Sequence, residues 1–292
     1  MSSRYYDNDN DLGILTRIAM VIAALFVMSS YFLVTFVHGE IPFIKGLDNT
    51  GRRLAYSLIW MFHACGVAAI MFAAAKQKPL LSFRLLEIKD KKQAWLIPLG
   101  SAMAFAGGVA LNRVVILLVS IIPFPQKWVE SHDAAVTGTM QGNAFVAIIA
   151  VCVMAPVIEE LCFRGKGFYY IRRVFGGTAG TVVAVVATSA LFAASHSGYI
   201  QMIYAFVIGV LFSLLSIRSG SVIPSIFAHI GFNAANLIFY AINPANDAAK
   251  ATMINVASIA VLVIAAVALF IIGGILRYSK DTDGEQPDIY IK

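Results

Sequence analysis

Eight stretches of about twenty apolar residues, each closed by a polar cluster, leave this chain little choice of solvent. They lie near residues 14–37, 54–75, 94–122, 143–164, 178–196, 199–217, 221–241 and 252–276. A helical run of about 20 such residues crosses a hydrocarbon core of about 30 Å. The expected fold class is therefore all-α, a polytopic bundle of about eight transmembrane helices. Composition agrees: 59% of residues are hydrophobic and 13% charged, against about 25% charged in soluble domains. The first window follows Asp7, Asp9 and Asp11 and has no small-residue cleavage site, so it reads as a retained anchor rather than a signal peptide. Cys65, Cys152 and Cys162 all fall inside predicted spans, which excludes a disulfide framework or a cysteine-rich metal knuckle.

The net charge of +6 would suggest nucleic acid in a soluble protein, but these basic residues sit in short loops beside membrane spans. They report topology, and no nucleic-acid partner is expected. With eight spans, one side of the bilayer carries 15 Lys and Arg and the other 5, with Arg113 and Arg164 set aside as intramembrane. That asymmetry predicts a multi-pass protein of the cytoplasmic membrane with both termini cytoplasmic.

A single membrane domain is expected over residues 1–278, followed by a polar cytoplasmic tail at 279–292. The basic segment from Lys76 to Lys92 reads as a cytoplasmic loop. Asn112 and Arg113 interrupt the third window, which fits either one tilted helix or a helix plus an interfacial segment. Residues 123–143 carry Lys127, Glu130, His132 and Asp133 and read as an exposed, solvated connection. His38 and His63 stand without acidic neighbours, so packing or an interhelical hydrogen bond is expected of them.

Ionisable groups inside a bilayer cost several kcal/mol each, so their retention implies a partner, a wet cavity or a function. The fourth window ends in Glu159, Glu160 and Arg164. The i, i+4 spacing puts Glu160 and Arg164 on one helical face with the acid N-terminal to the cation. Glu159, about 100° around the helix, is free to face a cavity. The fifth window holds Phe192 and His196, and the seventh holds His229 and Asn233, again i, i+4. No charge separates windows five and six, so Ser197, Gly198 and Tyr199 can turn without reaching bulk water and hold His196 near the depth of Glu159. A carboxylate, two imidazoles and an amide in a low-dielectric cavity supply a general base, metal ligands and an oxyanion donor. Proton relays in transporters use the same groups.

Taken in order on separate hydrophobic helices, these motifs resemble the CPBP family, the membrane proteases that include CAAX prenyl endopeptidases and bacteriocin-processing or self-immunity proteins. The carriers are Glu-Glu-x-x-x-Arg at Glu159, Glu160 and Arg164, Phe-x-x-x-His at Phe192 and His196, and His-x-x-x-Asn at His229 and Asn233. Pro156 and Pro224 precede the first and last. The resemblance covers about a third of the chain, with a catalytic core at about 144–240. It implies peptide-bond hydrolysis on a peptide or membrane-protein substrate within the lipid bilayer. By the same resemblance Glu159 and His196 activate water, His229 and Asn233 bind the oxyanion, and Glu160, Arg164 and Phe192 support the site. It also leaves open a zinc ion on Glu159, His196 and His229, or a metal-free reaction driven by the glutamate. Outside this reading stand a non-catalytic scaffold or immunity protein, which the intact motifs oppose, and an ion-coupled transporter. A transporter would spread polar residues through both halves of the chain; windows one, two and eight are nearly free of them.

Overall fold

The computed structural model describes residues 13–73, 95–139, 143–219, 221–243 and 247–282. Among these residues the fold is helical throughout. The elements are α1 (Ile14–Glu40), the short α2 (Pro42–Lys45), α3 (Asn49–Ala73), α4 (Leu96–Ile121), α5 (Gln126–Thr139) and α6 (Ala144–Ala147). They continue with α7 (Ala155–Glu160), α8 (Phe168–Phe175), α9 (Gly177–Ala194), α10 (Tyr199–Ser219), α11 (Ile223–Ile242) and α12 (Ala248–Thr282). Among the described residues each of the eight apolar windows lies mostly on helix. Among the same residues five helical segments are long and apolar enough to cross a membrane: Ile14–Leu33, Pro98–Ile121, Gly177–Ala194, Tyr199–Ser219 and Ala248–Ile272. The chain is thus an integral multi-pass helical membrane protein, and the remaining three windows correspond to α3, the run that begins at Ala144, and the shorter α11.

That run, from Ala144 to Phe175, is continuous helix but not uniform. Two seven-residue π-helical segments, Ile148–Met154 and Leu161–Gly167, flank the six residues of α7. Pro156 supplies a reason for the first. It lacks an N–H and its ring crowds the carbonyl four residues back, and a wider turn relieves both. In the second, a Cβ on Gly167 would lie 2.8 Å from the Cys162 carbonyl oxygen and 2.9 Å from the Met28 side chain, so only glycine lets α1 settle there. The α7 region is enclosed by α1, α3, α9, α10 and α11.

Helix association in lipid relies on close packing rather than on expulsion of water. The tightest instance joins α4 to α11. A Cβ on Gly108 would fall 1.8 Å from the Ala228 carbonyl oxygen, and one on Gly231 would fall 2.1 Å from that of Phe105. The two backbones touch through their glycines. Further along α4, Arg113 is buried, donates Nε and Nη2 to Asn255 Oδ1 at 3.2 Å each, and stacks on Phe239 at 3.9 Å. The interruption at Asn112 and Arg113 is therefore accommodated within a single helix.

Three expectations need correction or limit. Residues 126–139 are helix, not a solvated loop: Trp128 lies on Tyr199 with ring centroids 4.6 Å apart, and buried His132 meets the edge of Tyr204 at 5.8 Å. The i, i+4 spacing of Trp128 and His132 gives α5 a docking face that its overall polarity conceals. Burial lowers the His132 pKa, with Asp133 opposing, which suits an uncharged packing role. At the C-terminal end α12 stays helical through Thr282, past the start assigned to the polar tail, and residues 283–292 lie outside the described residues. The Lys76 to Lys92 loop and the side chain of His38 also lie outside them. His63 does make an interhelical hydrogen bond, Nε2–H to Ser30 Oγ at 2.7 Å, since the Ser30 hydroxyl donates to the Val27 carbonyl.

Candidate active site

The three sequence motifs meet at one imidazole. Buried His229, on α11, has Nδ1 2.9 Å from Glu160 Oε1 and Nε2 3.4 Å from Glu159 Oε2. Pro224 stands in the first turn of α11, where its missing N–H leaves no helical bond unmade, and His229 follows within two turns. Because an ionised carboxylate only accepts, Nδ1–H donates to Glu160, and Nε2 is the ring nitrogen turned towards Glu159.

Glu160 is fully buried and also pairs with Arg164, Nη1 to Oε1 at 2.9 Å, at 0% exposure for both side chains. The guanidinium has no hydrogen-bond partner for Nε or Nη2 among the described residues. It lies instead over the Phe192 ring, 4.4 Å from its centroid, and close to Gly209, where a Cβ would come 3.1 Å from Nη2. A desolvated cation over an aromatic face gains about 2 kcal/mol, which offsets part of the missing hydrogen bonding.

Phe192 organises both imidazoles. Its ring meets His196 edge-on at 4.7 Å and His229 at 5.7 Å. His196 follows the last residue of α9, in the turn 195–198 whose Gly198 takes φ +105°, and its Nδ1 donates to the Phe192 carbonyl at 2.8 Å. This fixes the tautomer and leaves Nε2 with a free lone pair in the neutral ring. The turn is covered by α5, with Ser131 Oγ 3.8 Å from where a Gly198 Cβ would stand.

Asn233, one turn after His229, donates Nδ2 to the Val151 carbonyl at 2.9 Å, and Cys152 Sγ contacts the Asn233 carbonyl at 3.6 Å. An amide has two N–H groups, so the second remains for a ligand. The first π segment thus ties directly to the helix carrying His229 and Asn233.

One contact was not foreseen. Tyr31, buried on α1, donates its hydroxyl to Glu159 Oε1. A lone tyrosine in an apolar window carries no spacing signal, and its partner lies 128 residues away. All seven residues singled out in the sequence belong to this neighbourhood, with Glu159, Glu160 and His229 in direct contact.

Zinc was tested against this arrangement. The donor types suit it, and the 3.4 Å between Glu159 Oε2 and His229 Nε2 is close to the spacing of about 3.3 Å between adjacent ligands on a tetrahedral shell. Among the described residues, however, no group of three His, Cys, Asp or Glu side chains is gathered to hold an ion.

Comparison with known proteins gives three findings. Residues 141–235 match the family described as type II CAAX prenyl endopeptidase Rce1-like. The chain is 22% identical over 235 residues to the membrane-embedded CAAX protease MroQ of Staphylococcus aureus (strain USA300), covering 79% of this chain and 92% of that protein. It is 27% identical over 156 residues to an uncharacterized 24.3 kDa protein of Escherichia coli, covering 52% of this chain and 66% of that one. No solved structure matches.

Proposed function

We propose, from the match of residues 141–235 to the type II CAAX prenyl endopeptidase Rce1-like family and the likeness to the S. aureus protease, that this chain is a CPBP-type membrane protease that hydrolyses a peptide bond of a membrane-associated substrate with water activated by Glu159 and His196. The contact of His229 with both glutamates carries the reading, because it brings two separate motifs to one buried point. Glu159 takes a proton from water as the hydroxide attacks the scissile carbonyl, and His196 Nε2 orients that water. The oxyanion then accepts hydrogen bonds from His229 Nε2–H and the spare Asn233 N–H. The proton on Glu159 passes to the leaving amine. Glu160 orients the His229 ring by accepting from Nδ1–H, the oxyanion step requires a proton on each ring nitrogen, and Arg164 with Phe192 holds Glu160.

The proposed substrate class is a CAAX peptide, after the descriptions of the matched family and of the S. aureus relative. Purified protein in liposomes is offered a farnesylated peptide ending in Cys-aliphatic-aliphatic-X and its unprenylated counterpart, with products read by mass spectrometry. Cleavage of at least one is expected. Cleavage of neither, by protein with an unchanged melting temperature, favours the scaffold reading.

A zinc-dependent form of the reaction on Glu159, His196 and His229 is the second reading, favoured by the Glu159–His229 spacing. It is separated by chelation. The metal-free reaction keeps its turnover in a strong chelator, and purified protein contains far less than one metal per chain. Turnover that vanishes on chelation and returns with zinc selects the second reading.

The orientation follows from the basic asymmetry of the loops: both termini are cytoplasmic and α5 lies on the outer side. In intact cells a cysteine replacing Glu130, which is exposed on α5, is expected to react with an impermeant thiol reagent. One replacing Lys89 is expected to be shielded. The reverse labelling pattern overturns the orientation.

A further inference from the structure

The segment matched to the protease family begins at residue 141, yet a helix more than a hundred residues earlier reaches its centre. Tyr31 on α1 donates to Glu159 Oε1, while Oε2 of the same carboxylate faces His229. Each oxygen therefore has its own partner. The phenol ring meets Phe163 edge-on at 5.8 Å, and Phe32 lies alongside at 6.2 Å without touching the hydrogen bond. One turn earlier on α1, Met28 fills the space that Gly167 leaves by having no side chain. That fit sets the height of α1 against the second π segment, and Tyr31, three residues on, is delivered to Glu159 by the helix geometry.

The terminal torsion of a glutamate is broad, so packing alone does not fix the angle at which the carboxylate plane meets a cavity. A single donor on Oε1 does. We propose that Tyr31 is a positioning residue for the catalytic base, its hydroxyl fixing the rotation of the Glu159 carboxylate so that Oε2 faces the reacting water, which makes α1 a component of the active site as well as an anchor. The inference rests on Glu159 acting as the base.

The test compares kcat and KM for Tyr31→Phe, Phe32→Leu and Glu159→Gln in liposomes, using whichever of the two peptides above is cleaved. Tyr31→Phe removes one oxygen and keeps the ring. Its kcat is expected to fall about tenfold to a hundredfold, as for loss of a hydrogen bond to a charged group that is needed for orientation, with KM and melting temperature unchanged. Phe32→Leu, which alters only packing beside it, is expected to keep the wild-type kcat. Wild-type kcat in Tyr31→Phe overturns the inference. So does an equal loss in Phe32→Leu, a loss confined to KM, or a loss matched by a lower melting temperature, because each marks a packing role. Full activity in Glu159→Gln, or no cleavage of either peptide by the wild type, overturns the base assignment and this inference with it. An inactive Glu159→Gln beside a fully active Tyr31→Phe removes the inference alone.

Discussion

Glu159→Gln is expected to cut peptide hydrolysis by about 10² to 10⁴-fold, the range supplied by a positioned general base. The variant keeps the size of the side chain and an oxygen that can still accept from Tyr31, so the fold is expected to survive. His196→Ala and His229→Ala are expected to be comparably inactive, the first through loss of the water-orienting nitrogen, the second through loss of an oxyanion donor. Asn233→Ala removes one donor, and a loss of about 10² to 10³-fold in kcat is expected. Single-turnover assays on reconstituted protein check all four. Wild-type turnover by Glu159→Gln, His196→Ala or His229→Ala would sink the assignment.

Glu160 and Arg164 are expected to fail in a different way. Both side chains are fully buried, and each is the other's counter-charge. Removing one partner of such a pair costs about 3–5 kcal/mol, because the remaining charge has no water to turn to. Glu160→Ala carries a second penalty, since His229 Nδ1–H loses its acceptor. Both single variants are therefore expected to show a lower melting temperature in detergent and reduced yield. The double replacement Glu160→Gln with Arg164→Met removes both charges at similar volume, and much of the stability is expected to return without activity. Single variants as stable as wild type but inactive would refute the bracing role and point to direct participation in catalysis.

The legibility of this fold in its sequence follows from the solvent. Lipid forces each span to announce itself as an apolar window, so the five span-length helices among the described residues could each be placed to within a few residues. The i, i+4 spacing of Glu160 with Arg164 and of His229 with Asn233 likewise encodes a shared helical face. What spacing cannot encode is a partner on another helix. Neither Tyr31 on Glu159 nor Asn255 on Arg113 could be found that way, because each is one polar group in an apolar run, and its meaning depends on packing. The docking of α5 was hidden for the opposite reason: its composition is that of a loop, and only Trp128 and His132 betray a buried side.

The glycine contact between α4 and α11 bears on how a peptide could reach the centre at all. Of the helix pairs around the centre, the one that resists separation or sliding most is the one whose backbones already touch. Sliding or tilting α11 against α4 would drive Gly108 and Gly231 against the carbonyls of Ala228 and Phe105, so the wall carrying His229 and Asn233 behaves as a fixed jaw. Motion is then left to the opposite wall. There α1 and α3 flank the second π-helical segment, whose wide turns tolerate adjustment without breaking the helix. On the proposed mechanism, that leaves His229 and Asn233 on the side of the centre that stays still.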